Sequence, residues 1–226
     1  MSEDKQQAQP QTPQGGQDAG KEPKQGGRRG RGGSARGRGR RPQGRRHAGK
    51  QPAVANKGEH ILFVGFMGSG KTSVSRVVAK RAGLPLIDID AYIEQTQGRS
   101  IKQIFADEGE EGFRRIETQA MAALAYEPKS IISCGGGACN SAINRGILKA
   151  LGTVVYLKVP LEEAIARISD PSTRPLLSGE RPVSEIYEER MPLYRDAADI
   201  TINTAGKGLG GNVAQVIGAL RRNKLI

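Results

Sequence analysis

The stretch GFMGSGKT, Gly65 to Thr72, constrains this chain more than any other. The apolar run ILFVG (61–65) precedes it. A helical pattern over 71–82 follows, with Val74, Val77 and Val78 facing inward. A G-x-x-x-x-G-K-[ST] turn between a strand and a helix is a phosphate loop. Gly68 and Gly70 let the backbone approach a phosphate closely, and the amide N–H groups at the helix start face it. Lys71 reaches the β/γ oxygens of a nucleotide, and Thr72 offers a hydroxyl to Mg²⁺.

Short apolar runs then alternate with helical patterns. LPLID (84–88), SIISC (130–134), TVVYLKV (153–159) and ADITIN (198–203) read as strands. Ser100 and Gln103 form a capping box at the start of IKQIFAD. Residues 110–126 place Phe113, Ile116, Ala120 and Leu124 on one face. Further helices are expected at about 141–151, 161–168, 182–195 and 208–222. This alternation predicts one α/β domain with a five-stranded parallel sheet covered on both faces. Ligands in such sheets bind beyond the carboxyl ends of the strands.

Five more motifs bear on chemistry. DID places Asp88 and Asp90 at the end of the second expected strand, where residues i and i+2 point to one face. One carboxylate can hold the Mg²⁺ water shell, and the other can accept a hydrogen bond from an attacking hydroxyl. In GFRRIE, Arg114 lies at the edge of the buried stripe and Glu117 is close enough to orient it, which suits a planar carboxylate ligand. CGGGA puts Gly135, Gly136 and Gly137 after the third expected strand, where backbone N–H groups can touch a ligand. TRPLL carries Arg174 within a Pro/Ser/Gly-rich loop suited to closing over phosphates. ERMPLY carries Arg190 at the end of a helical turn before Pro192. Alone, Arg174 or Arg190 would be an ordinary surface arginine.

The basic balance of the chain lies elsewhere. Residues 1–57 hold 14 Lys/Arg against 4 Asp/Glu, contributing +10 of the formal +12. They contain no Phe, Tyr, Trp, Leu or Ile, and Gly, Pro and Gln fill 26 of the 57 positions. Such a segment buries too little apolar area to offset backbone ordering and is expected to be disordered. The domain boundary is therefore set at 57/58. No apolar core follows the tail's charges, so no secretory signal is expected there. No run of 18 apolar residues suggests a membrane span. Two cysteines, Cys134 and Cys139, fit neither a zinc site nor a disulfide framework, and a cytoplasmic location is expected.

The six motifs, in order over about His60 to Leu220, closely resemble shikimate kinase. The resemblance implies transfer of the ATP γ-phosphate to the 3-hydroxyl of shikimate. It also implies sheet order 2-3-1-4-5, as in nucleoside monophosphate kinases, and a mobile lid. By motif position, Asp90, Arg114, Gly136 and Arg190 would contact shikimate, with Gly135 and Gly137 lining the same turn. Phe105 and Phe113 would wall its ring. Gly68, Ser69, Gly70, Lys71, Thr72 and Ser73 would bind ATP, with Arg174 on the lid and Arg167 stacking near adenine. Thr72 and Asp88 would serve Mg²⁺, and Lys71, Asp90 and Arg174 would carry the chemistry. The chain departs from the family in NTAGKG (203–208), where many relatives have Arg and Pro; Lys207 is assigned to that place.

Two other readings stay open at this level. One is a different small-molecule or nucleotide kinase of the same architecture. The other is an RNA-binding protein with a vestigial kinase domain. The tail lacks aromatic stacking platforms, so any contact with RNA or another polyanion would be electrostatic and non-specific. With no exposed apolar stripe in the sequence, a monomer is expected.

Overall fold

The computed structural model describes residues 58–168 and 181–226. The elements are β1 (His60–Val64), α1 (Lys71–Ala82), β2 (Leu86–Asp88), α2 (Ile89–Gln97), α3 (Ile101–Ala123), a 3₁₀ turn (Leu124–Tyr126), β3 (Ile131–Ser133), α4 (Ala142–Leu151), β4 (Gly152–Lys158), α5 (Leu161–Ala166), α6 (Val183–Ala197), β5 (Ile200–Asn203) and α7 (Leu209–Arg222). The sheet is five-stranded and parallel, ordered β2-β3-β1-β4-β5. The expected architecture and strand order both hold. The boundary at 57/58 and Arg174 lie outside the described residues.

Strand β1 sits at the centre because it can be buried on both faces. Its residues HILFV are all buried and alternate between two cores. Ile61 and Phe63 pack with Val74 and Val78 of α1 and Val213, Val216 and Leu220 of α7. Leu62 and Val64 join the opposite core, with Phe113 and Met121 of α3, Leu148 of α4 and Tyr194 of α6. Each fully buried Ile, Leu or Phe contributes about 1.5–3 kcal/mol. The register sets Phe63 beside Ser133 and Asp88 beside Ser133, so the carboxyl ends of β1, β3 and β2 lie together.

Several boundaries differ from expectation. Strand β2 begins at Leu86 rather than residue 84, although the Pro85 carbonyl still accepts from the Ile131 N–H at 2.8 Å; proline has no N–H with which to continue the ladder. The capping box at Ser100 and Gln103 is present and opens α3. That helix spans both the IKQIFAD segment and the apolar stripe. It breaks at Gly109, whose φ of 69° and ψ of −172° leave helical space. Helix α6 runs through Pro192, as the span expected at about 182–195 required, and ends at Ala197.

The larger correction concerns DID. Asp88 ends β2 and caps α2, its carboxylate accepting the Asp90 N–H at 3.2 Å. Asp90 is thus in the first turn of a helix, and the two carboxylates do not share a strand face. Helix α2 was not expected. Its signals were an acidic cap, Ile89 and Ile93 four apart, and Gly98 at the end.

Among the described residues, no helix is long and apolar enough to cross a membrane.

Candidate active site

The loop leaving β1 reaches α1 through a backbone that only glycine accommodates at Gly68. Its φ is +70°, and a Cβ there would overlap the backbone of Ala164 in α5. The loop therefore packs directly on α5. Lys71 Nζ donates to the carbonyls of Gly65 and Phe66, both at 2.9 Å, which holds the ammonium over the loop. Ser69 is fully buried, and its Oγ has no hydrogen-bond partner among the described residues. Such an orphaned group fits a ligand-binding loop. Gly70 caps α1, and Thr72 and Ser73 are exposed in its first turn. The dipole and the N-terminal amides of that turn favour an anion.

Thr72 Oγ1 lies 3.4 Å from Asp88 Oδ2 and 3.4 Å from Ser133 Oγ. One carboxylate with two hydroxyls is a hard oxygen set. It suits Mg²⁺, which is usually held by one or two carboxylates together with substrate phosphates. No cluster of three or more His, Cys, Asp or Glu side chains able to hold a metal occurs among the described residues. The donor set of Thr72, Asp88 and Ser133 is compatible with the Mg²⁺ expected beside a phosphate. Of these, the sequence reading omitted Ser133.

After β3 the chain turns through Gly135–Gly137, and each glycine faces a different candidate site side chain. A Cβ on Gly135 would lie 3.0 Å from Asp90 Oδ1 and 3.4 Å from Glu117 Oε1. One on Gly136 would lie 3.8 Å from Arg190 Nη1, and one on Gly137 would overlap the Arg114 guanidinium. The missing side chains make room for Asp90, Arg190 and Arg114 around one turn. The glycines had been expected to expose backbone N–H groups; side-chain clearance is their visible effect.

The two arginines are held in different ways. Arg114 Nη1 donates to Glu117 Oε2 at 2.9 Å, and Nη2 donates to Glu110 Oε1 at 3.1 Å. Glu117 is 1% exposed. Burial pulls the Arg114 pKa down, but Glu117 and Glu110 more than offset this and the net shift is upward, so the guanidinium stays charged. Arg190 is 8% exposed, with Nη1 3.4 Å from the Gly136 carbonyl. Phe105 and Phe113 stack at 4.7 Å between centroids, and the Arg114 guanidinium lies 5.2 Å from the Phe113 ring centre. Phe105 is partly exposed and presents an apolar wall.

Two residues that shape this turn escaped the sequence reading. Tyr194 Oη donates to the Gly136 carbonyl at 2.5 Å. Arg145 donates from Nη1 to the Cys139 carbonyl at 2.9 Å and from Nε to Asp196 Oδ2 at 2.8 Å, joining the turn to α6. Tyr194 stands four residues after Arg190, on the same helix face, which was its available signal. Arg145 had none, because its near partner is a backbone carbonyl and its carboxylate partner, Asp196, is 51 residues away.

On the other side of the phosphate loop, Arg167 follows α5. Its Nη2 donates to the Thr204 carbonyl at 2.8 Å and its Nη1 to Thr204 Oγ1 at 3.3 Å. Lys207 lies in the loop after β5, where its carbonyl accepts from Asn212 Nδ2 at 3.2 Å. The structure thus groups Asp90, Arg114, Arg190 and the glycines on one side of the phosphate loop, and Arg167 and Lys207 on the other.

Comparisons with known proteins converge on one family. The family model described as shikimate kinase matches residues 67–221. A shikimate kinase of Dehalococcoides mccartyi is 38% identical over 165 residues, which is 72% of this chain and 94% of the relative. One of Geobacter metallireducens is 41% identical over 165 residues, 71% of this chain and 91% of the relative. The fold is similar to that of the Acinetobacter baumannii shikimate kinase solved in complex with shikimate. That match has a TM-score of 0.68 and 37% identity, covering 77% of this chain and 98% of the other. The Aquifex aeolicus shikimate kinase matches with a TM-score of 0.62 and 28% identity, covering 74% and 98%.

Proposed function

The chain belongs to the shikimate kinase family, and on that premise we propose that it transfers the γ-phosphate of ATP to the 3-hydroxyl of shikimate, giving shikimate 3-phosphate and ADP. One observation carries the reading. The turn Gly135–Gly137 gathers a carboxylate and two arginines on the strand next to the phosphate loop. That set matches an acceptor with both a carboxylate and a hydroxyl.

Arg114 and Arg190 clamp the substrate carboxylate with charge-assisted hydrogen bonds. Phe105 and Phe113 wall its ring. Asp90 orients the attacking hydroxyl and receives its proton. Gly68, Ser69, Gly70 and Ser73 cradle the nucleotide phosphates, and Lys71 neutralises charge on the transferred group. Thr72 and Asp88 would hold Mg²⁺, which would supply charge neutralisation at the phosphoryl oxygens. Arg174 is assigned to charge neutralisation by its motif alone. Arg167 and Lys207 serve the nucleoside end.

The proposal extends to the rest of the chain. Residues 1–57 make at most electrostatic, salt-sensitive contact with RNA or another polyanion. The protein acts as a cytoplasmic monomer.

A coupled ADP-release assay with Mg·ATP and a panel of acceptors tests the proposal. ADP release should depend on shikimate and stay at background with gluconate or nucleoside monophosphates. Equal or greater turnover with another acceptor would reassign the substrate. Truncation of residues 1–57 should leave turnover intact, which would set aside the vestigial-kinase reading.

A further inference from the structure

One carboxylate holds together the side of the phosphate loop away from the acceptor residues. Glu163 lies in α5, and both of its oxygens accept the Gly206 N–H, at 3.0 and 3.1 Å. Its Oε2 also accepts from Arg167 Nη2 at 2.8 Å. That same Nη2 reaches the Thr204 carbonyl, and Nη1 reaches Thr204 Oγ1. Thr204 is fully buried and tied to the Lys158 carbonyl through both its N–H and its hydroxyl, at 2.9 and 3.0 Å. The loop after β5 is thus fastened at Thr204 and Gly206 to Glu163 and Arg167.

The place of this latch defines its ligand. The phosphate loop leaves the central strand β1. On the β3 and β2 side stand Asp90, Arg114 and the glycine turn. The β4 and β5 side begins with α5, whose Ala164 backbone touches Gly68. A nucleotide with its phosphates on the loop and an acceptor on the β3 side must extend its nucleoside toward α5 and the loop after β5. There Arg167 has its donors engaged along one edge, yet its side chain is 28% exposed. A guanidinium fixed in its plane and partly open to solvent suits stacking on a flat heteroaromatic ring.

We infer that Glu163 is a positioning residue for the nucleoside end of the nucleotide: it sets the plane of Arg167 and anchors the Thr204–Gly208 loop through the Gly206 N–H. This rests on the nucleotide side of the proposed function, not on the identity of the acceptor. Glu163 therefore governs affinity for a nucleotide that carries a base, and not affinity for polyphosphate.

The test measures ADP and inorganic tripolyphosphate binding to the full chain by calorimetry, without acceptor, for wild type, Glu163→Ala, Glu163→Gln, Arg167→Ala and the Glu163→Ala/Arg167→Ala double variant. Glu163→Ala should weaken ADP about tenfold and raise the KM for ATP in step. Tripolyphosphate affinity, kcat at saturating ATP and the KM for shikimate should move less than twofold. Glu163→Gln keeps an oxygen for Gly206 but loses the charge beside Arg167, so it should fall between. The double variant should lose less than the sum of the single losses. Equal weakening of ADP and tripolyphosphate, unchanged ADP affinity, or strict additivity would overturn the inference. If Glu163→Ala does not fold, Glu163→Gln carries the same comparison. Absence of shikimate turnover in the wild type would sink the proposed reaction but would leave the nucleotide measurements standing.

Discussion

Gly137 lies directly against Arg114, so closely that a methyl group on the glycine would occupy the space of the guanidinium. The arginine proposed to hold the substrate carboxylate thus depends on a missing side chain in another element. Gly137→Ala should push Arg114 off Glu117 and raise the KM for shikimate at least about tenfold, with the KM for ATP unchanged. Gly146, in α4, has open space where a Cβ would go. Gly146→Ala should leave kinetics unchanged and raise stability by up to about 1 kcal/mol. Steady-state kinetics in both substrates and thermal melts of the two variants decide this.

Arg114 and Glu117 form a pair whose carboxylate is almost wholly buried. Arg114→Ala should raise the shikimate KM about 10- to 150-fold, the equivalent of charge-assisted bonds of roughly 1.5–3 kcal/mol. It should also lower the melting temperature, because Glu117 is left buried without its cation. Arg114→Ala/Glu117→Gln should recover stability and not KM. Joint recovery of both would show that Arg114 makes no substrate contact.

Asp90 sits in the first turn of α2 beside Gly135, on the side proposed to take the acceptor. Asp90→Asn should abolish turnover and leave ATP affinity within about twofold. Equilibrium nucleotide binding separates the roles, and a loss of ATP affinity would place Asp90 on the wrong substrate.

Tyr194 holds the Gly136 carbonyl at 2.5 Å, so it acts on the glycine turn from α6. Tyr194→Phe keeps the ring and removes the bond. The expected loss in kcat/KM for shikimate is about three- to tenfold, near the value of one buried hydrogen bond. Nucleotide binding by the same variant should not move.

The two buried thiols predict an alkaline loss of stability. Burial pushes the Cys139 pKa up to about 12 and the Cys134 pKa well above its usual value. In the unfolded chain both ionise near about 8.5. As pH rises above that, the unfolded state binds fewer protons than the native state, so unfolding free energy falls with pH. Their stabilisation is complete below about pH 8 and fades toward the native pKa values. Urea midpoints at about pH 8 and about pH 9.5, below most tyrosine ionisation, should show the decline, and Cys139→Ala should lessen it. Native protein should also react slowly with thiol reagents at about pH 8, because the reactive thiolate is scarce and buried.

Local features were legible where local physics decides them. The apolar run before Gly65, the capping box at Ser100 and Gln103, and the stripe from Phe113 to Leu124 all appear as expected. The placing of Asp90 on a strand failed because Asp88 satisfies the Asp90 N–H and starts a helix there. The continuity of α3 was missed because its two halves meet at Gly109, a break that reads as an end. Helical period could place Tyr194 on the Arg190 face, but Tyr194, Arg145 and Glu163 act on partners 58, 51 and 43 residues away, and periodicity does not say which partners those are.

By itself, the sequence determined the phosphate loop, the parallel α/β class and the residue types at the site, because turn chemistry and strand or helix period act over a few neighbours. Only the tertiary structure decided that Asp90, Arg114 and Arg190 share one turn, and that Glu163 joins Arg167 to the loop after β5. Those meetings depend on strand order and register, which are set by burying both faces of β1 across the whole domain.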